Sequence, residues 1–183
     1  EKCIVSIDKP YLRPIVRGKE IKPVEFGAKV NKLQVDCISM IEHLDFEAFH
    51  EGNRLEKGIH LHEELFGKCT HHGADGIYAT NANRAYLKKK GIIQNFCPKG
   101  KQKTEHIEQN KIMRSILNKE RSTRLEGSLK KKKNHFQLTK VKARTLVSEI
   151  CWIFFGIQTA NAKQIGDRIA QIKRKQQIPP DSP

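Results

Sequence analysis

Glu126 is the residue of this 183-residue chain whose neighbours in sequence most suggest chemistry. It stands in R-S-T-R-L-E-G-S-L-K-K-K-K-N-H-F, residues 121–136. Read as a helix, this run stacks Leu125, Leu129, the stem of Lys132 and Phe136 at i, i+4, i+7 and i+11 as one apolar stripe. Glu126 lies beside the stripe, about 100° round the helix, with Lys130 and Lys133 at i+4 and i+7 on its own face. A carboxylate at a core boundary can hold a metal ion, and lysines beside it can hold phosphate. The same spacing also describes a solvated helix laced by Glu–Lys pairs, and spacing alone leaves both readings open.

Other candidates carry weaker signals. Cys69-x-His71-His72, with His60 and His62 upstream, invites a zinc reading, but no Cys-x-x-Cys pair accompanies it. His62 falls on the apolar face of a helical pattern, which suits a packed core histidine better than a ligand. Asp75-Gly76 taken alone is a turn signal. Trp152, Phe154 and Phe155 cluster in one continuous hydrophobic run, so they are expected in the core rather than as a base-stacking platform. Five scattered cysteines argue for reduced thiols in a cytosolic protein.

Charge points to a partner. The net charge of +15 is concentrated in one place. Residues 99–144 hold 15 Lys and Arg against 4 Asp and Glu, an excess of +11. A segment that basic calls for a polyanion. Nucleic acid fits better than a membrane surface, because no clean exposed apolar face accompanies the lysines. The longest apolar run, Ile150 to Ile157, is too short to span a bilayer, and no signal-peptide pattern opens the chain. No recognised RNA-binding motif is present. Glu1-Lys2 without a Met, leading almost at once into a strand-like run, reads as a fragment.

The elements that must position these residues follow from periodicity. Cys3 to Ile7 and Leu12 to Arg17 are short β-prone runs, and Arg17 to Glu20 turns the chain. Val24, Phe26, Ala28 and Val30 alternate with polar or small residues as a half-buried strand does, and Val35 to Ile41 reads as its neighbour. Together they predict three or four antiparallel strands. Leu55, Ile59, His62 and Phe66 predict a helix closed by Gly67. A second helix is capped near Thr80 or Asn81, and Lys88-Lys89-Lys90 before Gly91 suits its C-terminus. Gly91 to Phe96 is a further strand, and residues 98–110 a loop. A helical pattern from Ile112 leads towards Glu126. From Leu146 the pattern is apolar nearly all round, predicting a buried helix. Beyond Lys163 the chain turns polar, and 166–183 is expected to fray as a tail.

The wording of three segments then matters. R-L-E-G-S-L, with Lys133 seven residues after the Glu, H-F-Q-L, K-A-R-T and W-I-F-F-G-I-Q-T-A-N-A together resemble the C-terminal signature of bacterial insertion-sequence DDE transposases. L-R-P-I-V-R-G-K-E followed by V-E-F-G-A-K-V resembles the run before the second acid of that family, and A-D-G-I-Y resembles the second-acid motif itself. The likeness covers roughly residues 3–165.

The resemblance implies an α/β, RNase-H-like mixed sheet flanked by helices and lacking its first strand, over residues 1–165. It implies Asp75 and Glu126 as the second and third acids of an Asp-Asp-Glu triad, both catalytic and metal-binding. Arg121, Arg124, Lys130 and Lys133 become the DNA-contacting residues, Arg121 and Arg124 standing either side of the position where the family carries an Arg. The implied cofactor is Mg²⁺ or Mn²⁺ in a two-metal site. The implied partners are transposon-end and target DNA and a second copy in the transposition complex, in a bacterial, nucleoid-associated setting. Cys69 to Gly73 offers almost no apolar strand leading into Asp75. The first acid is expected upstream of Glu1; Asp8 is not assigned to it. The chain is therefore expected to bind DNA without cutting it. The alternative is a non-catalytic, basic DNA-binding remnant of the same fold.

Overall fold

A computed structural model describes residues 6–16, 24–100, 107–126 and 141–177, with backbone alone at 124–126 and 177. It is a mixed α/β protein whose strands, among the described residues, associate in twos. The chain divides into two compact units. One holds the residues through Leu33 together with Ile41–Gly127; the other holds Gln34–Met40 and the residues from Ser128 on.

In the first unit, β1 (Pro14–Val16) pairs antiparallel with β2 (Val24–Phe26), Ile15 opposite Glu25. Leu12 and Ile15 are buried, and Tyr11 meets Phe46 edge to face. The expected strand at 3–7 is not seen in its described part: Ser6 and Ile7 belong to no strand, and Ile7 is fully exposed. The run from Val24 to Val30 is not one strand either. Gly27-Ala28 breaks it, and β3 (Lys29–Val35) begins afresh and pairs with β4 (Ile38–Asp45). The predicted three- or four-stranded sheet is thus two separate pairings. The turn at Arg17 to Glu20 lies outside the described residues.

Helix α1 (Leu55–Phe66) follows a 3-10 turn at Glu51–Arg54 and stops where expected, at Gly67. There φ is +80°, a conformation only glycine adopts freely, and its N–H caps the Glu63 carbonyl at 3.1 Å. Only the first half of the predicted stripe is buried: Leu55 and Ile59 are inside, His62 is half-buried and Phe66 exposed. A parallel βαβ unit comes next, made of β5 (His71–His72), α2 (Asn81–Lys90) and β6 (Ile93–Gln94). Thr80 caps α2, its hydroxyl accepting the Asn83 N–H at 3.2 Å. The other end closes as a Schellman motif. Gly91 N–H reaches the Lys88 carbonyl at 3.1 Å, and Ile92 N–H the Leu87 carbonyl at 2.9 Å.

The core of this unit lies between these elements. Leu55 and Ile59 of α1, Leu87 of α2, and Cys69, Ile92 and Phe96 beside the strands form one buried cluster. Each of the larger apolar side chains contributes roughly 1.5–3 kcal/mol. Helix α3 (Ile107–Glu120) starts earlier than its pattern at Ile112 suggests and passes into a π-helical turn, Arg121–Glu126.

In the second unit, α4 runs unbroken from Leu146 to Gln177, so the residues from 166 to 177 are helical rather than a frayed tail. It is not buried all round. Glu149, Ile153, Ile157, Ala160 and Asn161 form the buried stripe, while Val147, Phe154 and Phe155 are exposed. The aromatic run was expected to be core; a helix packed on one side leaves part of so continuous a run in solvent. The tip of the β3–β4 hairpin is fastened to α4 at two levels. Asn161 accepts the Ser39 N–H at 3.0 Å and donates to the Ser39 carbonyl at 2.8 Å. One helix stretch further on, Arg168 reaches the Asp36 carboxylate at 2.7 Å and also its carbonyl.

Candidate functional site

Asp75 lies just past the carboxyl end of β5, the side of a parallel α/β unit where ligand sites collect. The strand leading to it forms without apolar residues of the usual kind. His72 is turned inward against Phe96, ring centres 6.4 Å apart, and Cys69 is buried in the same core. Burial pushes the His72 imidazole down to about 4, with the nearby His62 acting in the same direction. At neutral pH it is uncharged and packs as an aromatic residue. The Cys69 thiol is pushed up, chiefly by burial, and donates to the His71 carbonyl at 3.6 Å. His71 turns outward to Thr70 and His60 is exposed, and among the described residues no three His, Cys, Asp or Glu side chains gather as metal ligands.

The Asp75 loop is gripped from two sides. On one, Asp75 Oδ1 accepts the Gly76 N–H at 2.6 Å and its carbonyl accepts Tyr78 N–H at 3.0 Å, making the 3-10 turn Gly76–Tyr78. Tyr78 Oη donates to Asn31 Oδ1 at 2.6 Å, and Asn31 Nδ2 donates to Glu42 at 2.9 Å. Arg54 closes the network with two hydrogen bonds to Glu42, whose side chain is only 4% exposed. Burial opposes ionisation of Glu42, but hydrogen bonds from Arg54 and Asn31 outweigh it and hold the carboxyl below its usual range. Tyr78 is pushed up, first by burial and then by the surrounding carboxylates, so it remains a proton donor. Asn83 ties the Tyr78 and Gly52 carbonyls together at 2.8 and 2.7 Å. Gly52 permits this closeness, since a Cβ there would stand 2.6 Å from the Ile77 carbonyl oxygen.

On the other side, one face of α3 and its π-helical extension follows the approach to Asp75 residue by residue. The Leu117 carbonyl lies over Gly73, where an added Cβ would meet it at 3.5 Å. Asn118 Oδ1 accepts from Asn95 Nδ2 at 2.7 Å, and Asn95 in turn holds both backbone groups of Ala74. Arg121 Nη1 stands 3.9 Å from Asp75 Oδ1. The Asp75 side chain is 73% exposed, so this loose ion pair contributes no more than about 1 kcal/mol.

Of the residues singled out by sequence, Asp75 and Arg121 are therefore brought together. Arg121 is turned to the carboxylate, one turn before the helix reaches Glu126. Glu126 and Arg124 belong to the π-helical turn, where the backbone alone is described; Lys130 and Lys133 lie outside the described residues. Asn95, Asn118, Asn31 and the Glu42–Arg54 pair were not singled out. Their types are common at surfaces, and only the packing buries Asn31, Asn95 and the Glu42 side chain and supplies their partners. Asp75 offers a hard carboxylate in solvent whose one hydrogen bond, among the described residues, comes from Gly76. A carboxylate is the donor type that Mg²⁺ or Mn²⁺ takes, one or two at a time beside several waters, but here the Arg121 guanidinium at 3.9 Å competes for it. No protein-family model, curated protein or solved structure matches this chain.

Proposed function

We propose that the chain is part of a DDE transposase of the bacterial insertion-sequence type, with an RNase-H-like domain that binds transposon DNA. In this reading Asp75 and Glu126 are two of three acids that hold Mg²⁺ or Mn²⁺. Such ions, when bound, activate a water or 3′-hydroxyl and stabilise the leaving oxygen in displacement at phosphorus. The observation that carries the reading is that Leu117 and Arg121 lie against Gly73 and Asp75, and that Asn118 is tied to Ala74 through Asn95. It sets the start of the turn that ends in Glu126 against the end of the strand that leads to Asp75. Glu126 follows Arg121 by five residues, a rise of roughly 7 Å along a helix. In this reading Arg121 and Arg124, with Lys130 and Lys133 later in the sequence, supply cations for DNA phosphates.

A non-catalytic DNA-binding protein of the same fold is the second reading. It is favoured by Arg121, whose guanidinium already stands beside the carboxylate that a metal would use.

Both readings predict DNA binding with a steep salt dependence, because cations that meet phosphate displace counterions. Replacing Lys130 to Lys133 by Ala should lower the slope of log affinity against log salt by up to ~4. Fluorescence anisotropy on a labelled duplex measures it, and an unchanged slope would put the DNA surface elsewhere. With two of three acids, the chain should bind DNA without nicking it in Mg²⁺ or Mn²⁺. Nicking that disappears in Asp8→Asn would identify Asp8 as the third.

A further inference from the structure

Asn95 is buried, 7% exposed, and its side chain bonds both the approach to Asp75 and α3. Its Oδ1 accepts the Ala74 N–H at 3.0 Å and its Nδ2 donates to the Ala74 carbonyl at 2.9 Å. This is the two-point pairing one backbone gives another, made by a side chain one residue beyond the last ladder pair, His72 with Gln94. The Asn95 amide thus prolongs the β5–β6 pairing to the residue immediately before Asp75. The remaining Nδ2 hydrogen goes to Asn118 Oδ1 at 2.7 Å, on α3. One buried amide therefore joins β6, the Asp75 loop and the helix that leads to Glu126.

Resting on the metal reading above, we propose that Asn95 and Asn118 are a positioning pair, which sets Asp75 towards a divalent cation by fixing the backbone of Ala74. A two-residue strand cannot by itself hold the residue three places beyond its end. The amide clamp supplies that constraint on the β5 side, while the Tyr78–Asn31 bond holds the loop beyond Asp75, and the Asn118 bond refers it to α3, so the two carboxyl-bearing segments share one anchor. Outer residues that orient ligands in this way typically change metal affinity 10–100-fold when lost.

The test uses the whole chain and Mn²⁺ alone, with free Mn²⁺ followed by electron paramagnetic resonance and folding by circular dichroism and thermal melting. Asp75→Asn should abolish the tightest Mn²⁺ site. Asn118→Ala, which leaves the Ala74 clamp in place, should weaken that site about 10-fold with the melting temperature nearly unchanged. Asn95→Ala should weaken it at least as much, with a fall in melting temperature as well. If Asp75→Asn abolishes binding while Asn118→Ala and a folded Asn95→Ala both bind as the parent does, the pair is structural only and the proposal is wrong. If Mn²⁺ does not bind, or binds unaffected by Asp75→Asn, the metal reading fails and the proposal falls with it.

Discussion

His72 shows how a residue that looks like a ligand in sequence becomes part of a core. Its ring meets Phe96 edge to face, and burial holds it neutral down to about pH 4, against an ordinary histidine near 6.5. The unfolded chain therefore takes up a proton that the folded chain refuses between those values. Stability is complete above about pH 6.5 and falls as the pH drops towards 4, by up to about 3 kcal/mol. Glu42, with its lowered value, adds a further loss below its ordinary range, when the carboxylate that Arg54 and Asn31 grip is protonated. Denaturant melts from pH 7.5 to 4.5 should show this fall, and His72→Leu should flatten its upper part; a parent profile flat over that range would contradict the buried, neutral ring. Truncating Glu42 to Ala strands the Arg54 guanidinium and Asn31 and should cost about 3 kcal/mol at pH 7. A cost under about 1 kcal/mol in the same melts would mean that the network is solvated. At this scale Asp75 was singled out only because A-D-G-I-Y resembles a family motif. Asn95, Asn31 and Glu42 were not, since nothing in Q-N-F, V-N-K or I-E-H separates a buried polar residue from an exposed one.

The helices were legible wherever a terminus is fixed by backbone chemistry. Gly67, Gly91 and Thr80 end or begin α1 and α2 as their residue types require. The β3–β4 turn escaped notice because it breaks the usual turn chemistry. Asp36 and Cys37 have φ of +48° and +68°, where Asn-Gly would be expected in a two-residue hairpin. Val35 to Ile41 consequently read as a strand, although the turn falls inside it. Arg168 gripping Asp36 and Asn161 gripping Ser39 help to hold that conformation against its local preference. Cys37→Gly should relieve it and raise stability by about 0.5–1 kcal/mol in thermal melts. A loss of stability would mean that the cysteine side chain contributes more than its backbone costs. β5 was hidden for a different reason: two histidines carry no strand signal until Phe96 and the core are in place beside them. The exposure of Phe154 and Phe155 on α4 was equally invisible, because a periodicity that is apolar all round does not say which side has a neighbour.

For the molecule as a whole, a mixed α/β composition was legible from the succession of strand and helix signals, while the pairing of strands in twos was not. No helix among the described residues is long and apolar enough to cross a membrane. The positive charge is gathered in residues 99–144, which bracket Glu126. In the proposed function that basic segment would supply cations for the phosphates, and Asp75 with Glu126 would hold the metal that acts on them. That function requires these two carboxylates to meet. A crystal structure of the chain grown with Mn²⁺, with anomalous data at the manganese edge, tests it most directly. The expected result is a Mn²⁺ peak coordinated by Asp75 and Glu126 together, lost from crystals of Glu126→Gln. Carboxylates more than about 10 Å apart, beyond the reach of a metal pair separated by ~4 Å, would contradict it.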